Sequence, residues 1–127
     1  MTSMQVPPFL LRRLYVKGSL RNIDDGFEFR LSNTLGSGYA QAMLPLSFDG
    51  EQAPLDRSFF FLDGRKVAFT EVSEAQPFTL AMNAVTVIRV EGRRLAPGDH
   101  RLKMGFVVLG LGPMEFEVTD TLSEGDA

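Results

Sequence analysis

Three carboxylates near the end of the chain have the spacing of a candidate acid/base site. Glu115 and Glu117 are two residues apart, and Asp120 follows three residues later. Side chains two residues apart on a strand project from the same face and lie roughly 7 Å apart, because a strand rises ~3.4 Å per residue. Paired acids at comparable distances are the catalytic groups of glycoside hydrolases.

The surrounding residue types favour a simpler interpretation of these acids. A sugar-binding groove normally carries aromatic platforms, but the chain has no Trp and only 2 Tyr. Met114, Phe116 and Val118 alternate with the glutamates, which is the pattern of a half-buried strand. We therefore assign no catalytic residue, and a small glycoside hydrolase using Glu115 and Glu117 is the least favoured alternative.

The other residues capable of chemistry are explained by turns. His100 follows Pro97-Gly98-Asp99 at the start of a strand, and its neighbours offer no partner of the kind that a general base needs. Several aspartates occupy turn positions, where a short carboxylate caps its own backbone. They are Asp24, Asp25, Asp49, Asp63 and Asp99. The sequence thus predicts no metal ligand.

Two glycine pairs have the composition of phosphate loops but the wrong context. They are Gly36 with Gly38 and Gly110 with Gly112. A phosphate loop lies between a strand and the N-terminus of a helix, whereas strand patterns follow both of these pairs. We therefore predict turns here, and no cofactor-binding residue.

The element that must position these residues is a predicted hairpin from Leu14 to Ser32, closed at Asp25-Gly26. Asp-Gly suits a tight turn whose central residues have positive φ. On the outgoing arm Phe27, Phe29 and Leu31 alternate with Glu28, Arg30 and Ser32, so one face is apolar and the other polar. Two such strands need a second layer to cover their apolar face.

The rest of the chain supplies that layer. Strand patterns separated by turns such as Asp49-Gly50 and Asp63-Gly64 predict a long first strand at Phe9 to Ile23 and further strands at Tyr39 to Phe48, Ser58 to Leu62 and Thr79 to Val90. The only predicted helical turn lies at 70–76. We predict an all-β, single-domain, two-layer antiparallel β-sandwich, jelly-roll-like, of about eight strands and at most one short helical turn. It spans residues 9–122, between a flexible N-terminal arm (1–8) and an acidic flexible tail (123–127).

Large side chains on outer faces predict an interface. If Phe59 and Phe61 face the core, then Phe60 points outward, and an exposed aromatic side chain often marks a contact surface. Coverage of this strand on both sides within its own sandwich is an equally good explanation. We predict an interface at Tyr39, Met43 and Phe60.

Composition limits the partners and the compartment. A net charge of -3 argues against a nucleic-acid surface, which needs clustered Lys and Arg. No run of ~18 apolar residues predicts a membrane span, and the N-terminus lacks the pattern of a secretory leader. Zero cysteines suit a reducing compartment, so we predict a cytoplasmic protein.

The order of several motifs resembles a known family. These are LRNIDDGFEFRL, LSFDGE, FLDGRKV and LAPGDHRLKMGFVVLGLGPMEFEVTDTL. Together they resemble the small beta-subunit-like domain of bacterial C-glycoside deglycosidases, over Leu14 to Leu122. The resemblance implies a β-sandwich that packs on a larger barrel-type subunit, which carries the metal and the catalytic groups.

Three functional hypotheses follow. The first is a non-catalytic β-sandwich subunit or interaction domain that associates with a larger enzyme subunit or with itself. The alternative is a small-ligand or carbohydrate-binding module with a pocket at the mouth between the sheets. The third is the hydrolase with Glu115 and Glu117.

Overall fold

The computed structural model describes residues 7–36, 38–62 and 64–122. They form two antiparallel sheets, which confirms the predicted β-sandwich. The elements, in chain order, are helix α1 (Pro8–Leu11) and strands β1 (Arg21–Ile23), β2 (Gly26–Ser32), β3 (Gly38–Met43), β4 (Ser47–Phe48), β5 (Glu51–Gln52), β6 (Ser58–Leu62), β7 (Arg65–Ala68), β8 (Phe78–Leu80), β9 (Val85–Glu91), β10 (Gly98–Val108) and β11 (Gly112–Leu122). Three short 3-10 helices lie at Arg12–Leu14, Leu55–Arg57 and Phe69–Glu71.

The first sheet has the strand order β1-β2-β9-β6-β7. The second sheet is built around β10, which pairs with β11 on one side and with β3 and β4 on the other. Strand β8 extends the sheet beyond β3, and β5 extends it beyond β4. Because the chain passes repeatedly between the two sheets, residues distant in sequence meet at each end of the sandwich.

Phenylalanine side chains join the two sheets across the core. Phe27 of β2 meets Phe48 of β4 with ring centroids 5.3 Å apart. Phe60 of β6 stacks on Phe78 of β8 at 3.9 Å. The alternation in β2 is confirmed on its apolar side, since Phe27, Phe29 and Leu31 are all buried.

The predicted hairpin is shorter than the sequence suggested. Strand β1 holds only Arg21–Ile23, and the two residues between it and β2 are Asp24 and Asp25. Gly26 is the first residue of β2 and pairs with Ile23. The segment before β1 is largely irregular, with an isolated bridge between Tyr15 and Leu31. The prediction of one long first strand was therefore wrong.

Two other predicted strands are interrupted. The strand expected over Tyr39 to Phe48 is split into β3 and β4 around Pro45, which cannot donate a ladder hydrogen bond. The strand expected over Thr79 to Val90 is split into β8 and β9, which belong to different sheets. Asn83, with a φ of 65°, lies in the turn that separates them. These interruptions account for most of the difference between about eight predicted strands and the eleven that the described residues form.

The helical prediction missed the larger helix. In place of a helical turn at 70–76, the chain forms the 3-10 helix Phe69–Glu71, whereas α1 was predicted as strand. Within the described residues, no helix has the length and apolar character needed to cross a bilayer. Of the predicted arm and tail, residues 1–6 and 123–127 lie outside the described residues.

Candidate functional site

A cavity of about 350 Å³ lies at one end of the sandwich. Its wall comes from α1 and the 3-10 helix after it, from the loop between β2 and β3, and from the β10–β11 hairpin. Most lining side chains are apolar, and they include Leu11, Leu14, Leu35, Phe106, Val108, Leu109, Leu111 and Met114. We call the end of the sandwich that holds this cavity the apolar end.

Asn33 fixes the loop that forms one side of the cavity. Its Oδ1 accepts hydrogen bonds from the backbone N–H groups of Leu35 (3.1 Å) and Gly36 (3.3 Å), and its Nδ2 donates to the Gly36 carbonyl (2.8 Å). Its backbone N–H and carbonyl bond to Ala84 and Asn83 in the turn before β9. Two loops are thereby tied together at the apolar end, so the cavity wall is held by hydrogen bonds.

Exposed apolar side chains lie at the same end of the sandwich as this cavity. The large apolar side chains exposed in the described part of the chain are Phe9, Tyr39, Met82, Val85 and Leu109. Tyr39 and Leu109 line the cavity and are 53% and 63% exposed. Phe9 lies in α1, which contributes Leu11 to the wall, and Met82 and Val85 flank the turn bonded to Asn33. The exposed large apolar residues are thus concentrated at one end of the molecule.

The opposite end is polar, and we call it the polar end. It carries the Asp24-Asp25 turn, the Asp49-Gly50 turn and the loop 92–97. His100 is buried there, with Nδ1 2.6 Å from Asp49 Oδ2 and Nε2 2.6 Å from the Ala96 carbonyl oxygen. The residues next to His100 in the sequence offered it no partner, but the fold supplies Asp49, which is 51 residues away.

Asp120 is a structural carboxylate rather than an open acid. Its Oδ2 accepts hydrogen bonds from the Tyr15 hydroxyl (2.6 Å) and from the backbone N–H groups of Gly18 (3.0 Å) and Leu20 (3.4 Å). Burial and the contact with Asp120 raise the pKa of Tyr15 well above its ordinary value. The side chain therefore fastens the irregular segment before β1 to β11.

Glu28 is buried on the outer face of β2, although the alternation predicted a solvated side chain. Its carboxylate bonds to Arg21 (2.8 Å) and to Arg89 (2.9 Å) on the two neighbouring strands. Burial alone would raise the pKa of Glu28, but the hydrogen bonds from Arg89 and Arg21 outweigh it and lower that pKa. Arg89 also lies over the Phe61 ring, 4.1 Å from its centroid.

Glu115 and Glu117 are exposed on β11. The Glu115 carboxylate approaches Lys103 at 4.0 Å, and the backbone carbonyl of Glu117 accepts a hydrogen bond from Arg12. Neither glutamate lines the apolar cavity. The geometry therefore provides no buried acid at this pair of the kind that glycoside hydrolysis uses.

The three predicted interface residues lie in different environments. Tyr39 is exposed at the apolar end, whereas Met43 is 7% exposed and Phe60 only 1%. The orientation predicted for the Phe59-Phe60-Phe61 run was wrong. Phe60 faces the core and stacks on Phe69 and Phe78, while Phe59 and Phe61 carry Lys66 and Arg89 over their rings on the outer face. Whether any of these residues contacts a partner remains a prediction.

Across residues 7–36, 38–62 and 64–122, no three histidine or carboxylate side chains converge as ligands for a metal ion. A family model described as the hydroxymethylglutaryl-CoA reductase, N-terminal domain, matches residues 10–123. The chain belongs to this family. A search of curated proteins finds no match.

Membership of the hydroxymethylglutaryl-CoA reductase N-terminal domain family corrects the earlier resemblance. The similarity to the C-glycoside deglycosidase small subunit was wrong. It depended on strands separated by Asp-Gly turns, and such turns recur wherever antiparallel strands are joined closely. The barrel-type partner was implied by that resemblance alone and loses its support.

No local sequence pattern identified the residues that line the cavity. Its walls combine residues from positions 11 to 14, 33 to 39 and 106 to 114, and only the sheet topology brings these segments together. One signal was present in the sequence. Leu109 and Leu111 are bulky apolar residues within a Gly-rich turn, where polar residues are usual.

Proposed function

We propose that this protein is a non-catalytic interaction domain that binds an apolar surface of a larger enzyme chain through its apolar end. The observation that supports the proposal is the cavity with exposed Tyr39 and Leu109 at its rim. Contiguous exposed apolar side chains are uncommon on monomeric proteins and mark interaction sites. Aromatic and aliphatic anchors of this kind supply most of the binding energy at protein interfaces.

The family description suggests which enzyme the partner is. It names an N-terminal domain of hydroxymethylglutaryl-CoA reductase, which is one part of a larger enzyme. We therefore propose that the apolar end contacts a reductase chain of this kind, and that self-association through the same end is the competing arrangement. The absence of cysteine supports a cytoplasmic setting for this accessory role.

Substitution at the rim tests the interaction. Leu109→Asp places a charge beside the cavity and should abolish binding to a purified hydroxymethylglutaryl-CoA reductase chain in isothermal titration calorimetry. The matched control is Thr119→Asp, an exposed position on β11, which should leave binding unchanged. Light scattering of the protein alone, over a range of concentrations, detects self-association. If neither a reductase complex nor a self-complex forms, the proposal is wrong.

The cavity itself supports a second candidate, a small-ligand site. Its volume of about 350 Å³ falls within the range of about 300–1,000 Å³ that is usual for ligand pockets. A Cβ at Gly38 would meet only the Val108 side chain, at 3.6 Å, so Gly38→Leu should fill the cavity without a backbone collision. Loss of binding of an apolar fluorescent probe in Gly38→Leu, with partner binding retained, would favour the small ligand.

A further inference from the structure

His100 joins three segments of the polar end. The residue lies in β10, and its two ring nitrogens reach the turn between β4 and β5 and the loop that precedes β10. Asp49 lies in that turn with a φ of 52°. Its Oδ1 accepts a hydrogen bond from the backbone N–H of Arg101 at 2.9 Å. The imidazole and the carboxylate together connect the turn, the loop and the strand.

The two contacts of the imidazole fix its proton count. A carboxylate oxygen and a backbone carbonyl oxygen are both acceptors, so each ring nitrogen must donate to make both hydrogen bonds. A neutral imidazole has one N–H and could make both bonds only if Asp49 were protonated. Asp49 accepts two hydrogen bonds, and these bonds lower its pKa despite partial burial. The second proton therefore belongs to His100.

The charges around His100 favour the imidazolium. Asp49 faces it from the β4–β5 turn, Asp99 precedes it in β10, and Asp120 is its direct cross-strand neighbour in β11. The cations nearby are Arg101 in β10 and, in the loop, Arg93 and Arg94, and Arg93 is paired with Glu51 at 2.7 Å. Burial opposes a charge on His100, but the bonds to Ala96 and Asp49 outweigh it and raise the pKa of His100 above its ordinary value.

We propose that His100 is a pH-sensitive latch, which in its imidazolium form holds the loop 92–97 and the Asp49-Gly50 turn against β10. On loss of one proton, a ring lone pair must face either the Ala96 carbonyl or the Asp49 carboxylate, and that hydrogen bond is lost. Because the folded pKa is raised, the latch is complete below the unfolded pKa of about 6.5 and is released as the pH rises through the folded pKa. The polar end then loosens while the apolar end is unaffected.

Nuclear magnetic resonance can observe this latch directly, because His100 is the only histidine in the sequence. Nitrogen-15 spectra of the imidazole should show both nitrogens protonated at pH 6, with a titration midpoint above 6.5. Asp49→Asn should lower that midpoint. The Leu95 amide, which donates to Asn22 Oδ1 at 2.9 Å, reports on the loop. Its hydrogen exchange, corrected for the intrinsic effect of pH, should accelerate above the midpoint.

Controls separate the latch from general unfolding. Amides of β2 should show no such acceleration, and in Asp49→Asn the acceleration at Leu95 should move to lower pH together with the midpoint. His100→Gln, where it folds, should remove the pH dependence at Leu95. A neutral imidazole at pH 6, a midpoint at or below 6.5, or exchange at Leu95 that does not follow the midpoint would each overturn the proposal.

Discussion

Glu28 shows how a charged side chain comes to be buried on the outer face of a sheet. It lies on the central part of β2, and arginines on both neighbouring strands cover it. A period of two in the sequence places Glu28 on the outer face correctly, but it does not reveal that long side chains from adjacent strands will close over that face. The position of a residue is therefore easier to predict than its exposure.

The ion pairs of Glu28 predict a loss of stability in acid. Its folded pKa is lowered, so the stabilisation is present above the unfolded value of 4.5 and is lost as the pH falls through the folded pKa. Glu28→Gln should cost about 1–3 kcal/mol at pH 7, because the buried Glu28 carboxylate is the charged acceptor for the partly buried Arg89 and the exposed Arg21. Urea unfolding of both proteins between pH 7 and pH 3 should show this difference shrinking.

The control for Glu28 is Glu115→Gln. Glu115 is exposed, and its ion pair with the equally exposed Lys103 is long, at 4.0 Å. Its substitution should therefore change the free energy of unfolding by less than about 0.5 kcal/mol. A difference between wild type and Glu28→Gln that stays constant down to pH 3 would show that the ion pairs are not its origin.

Phe29 tests the packing of the core. Its ring is buried among both sheets and lies 5.5 Å from that of Tyr15. Phe29→Ala should cost ~3 to 5 kcal/mol, since the sandwich cannot close completely around the space left by the ring. Urea denaturation measures the effect, and Phe9→Ala, at an exposed position, serves as the comparison. Equal stabilities for the two variants would contradict the assigned core.

Gly26 has a different role from the one that the Asp-Gly pair suggested. It does not adopt a positive φ, and Asp24 and Asp25 form the turn before it. A Cβ at this position would collide with the carbonyl oxygen of Val90 in β9. Glycine is therefore required at this position because β2 and β9 approach each other closely there. Sequence preferences for turns do not contain that information.

Gly26→Ala should consequently destabilise the protein by about 1–3 kcal/mol, the usual cost of an added group in a packed site. Gly38→Ala is the matched substitution, because Gly38 also begins a strand, has no positive φ and has room for a Cβ. Thermal denaturation of the pair measures the difference. A Gly26→Ala protein as stable as Gly38→Ala would show that β9 can move aside.

Strand elements were predictable where one face is clearly apolar. The strand Ser58–Leu62 was predicted with its observed bounds, but its three consecutive phenylalanines fit either orientation equally well. Contacts with Phe69 and Phe78, which come from later in the chain, select Phe60 for the core. Helix α1 was missed because four residues are too few to establish a helical period.

The two ends of the whole molecule could not be predicted from local sequence. The fold class follows from alternation and turn residues, and it is confirmed. The cavity and the His100–Asp49 contact both join segments that are far apart along the chain, so they depend on strand order. Strand order in turn depends on which apolar faces pack best, which no single segment determines.

One shared core predicts one cooperative unfolding transition. Stacked rings such as Phe60 with Phe78 connect the sheets, so neither sheet retains its buried face when the other opens. Circular dichroism and calorimetry should therefore give the same midpoint. Two separated transitions would show that the sheets unfold independently.

Among residues 7–36, 38–62 and 64–122, β11 pairs with β10 alone, and the segment 8–14 lies beside it, with the Arg12 guanidinium donating a hydrogen bond to the Glu117 carbonyl. An uncovered edge of an eleven-residue strand is a template on which a second chain can pair. Proteolytic removal of residues 1–14 would uncover that edge of β11. We therefore expect protein that lacks residues 1–14 to aggregate more readily than the whole chain, and light scattering measures the difference.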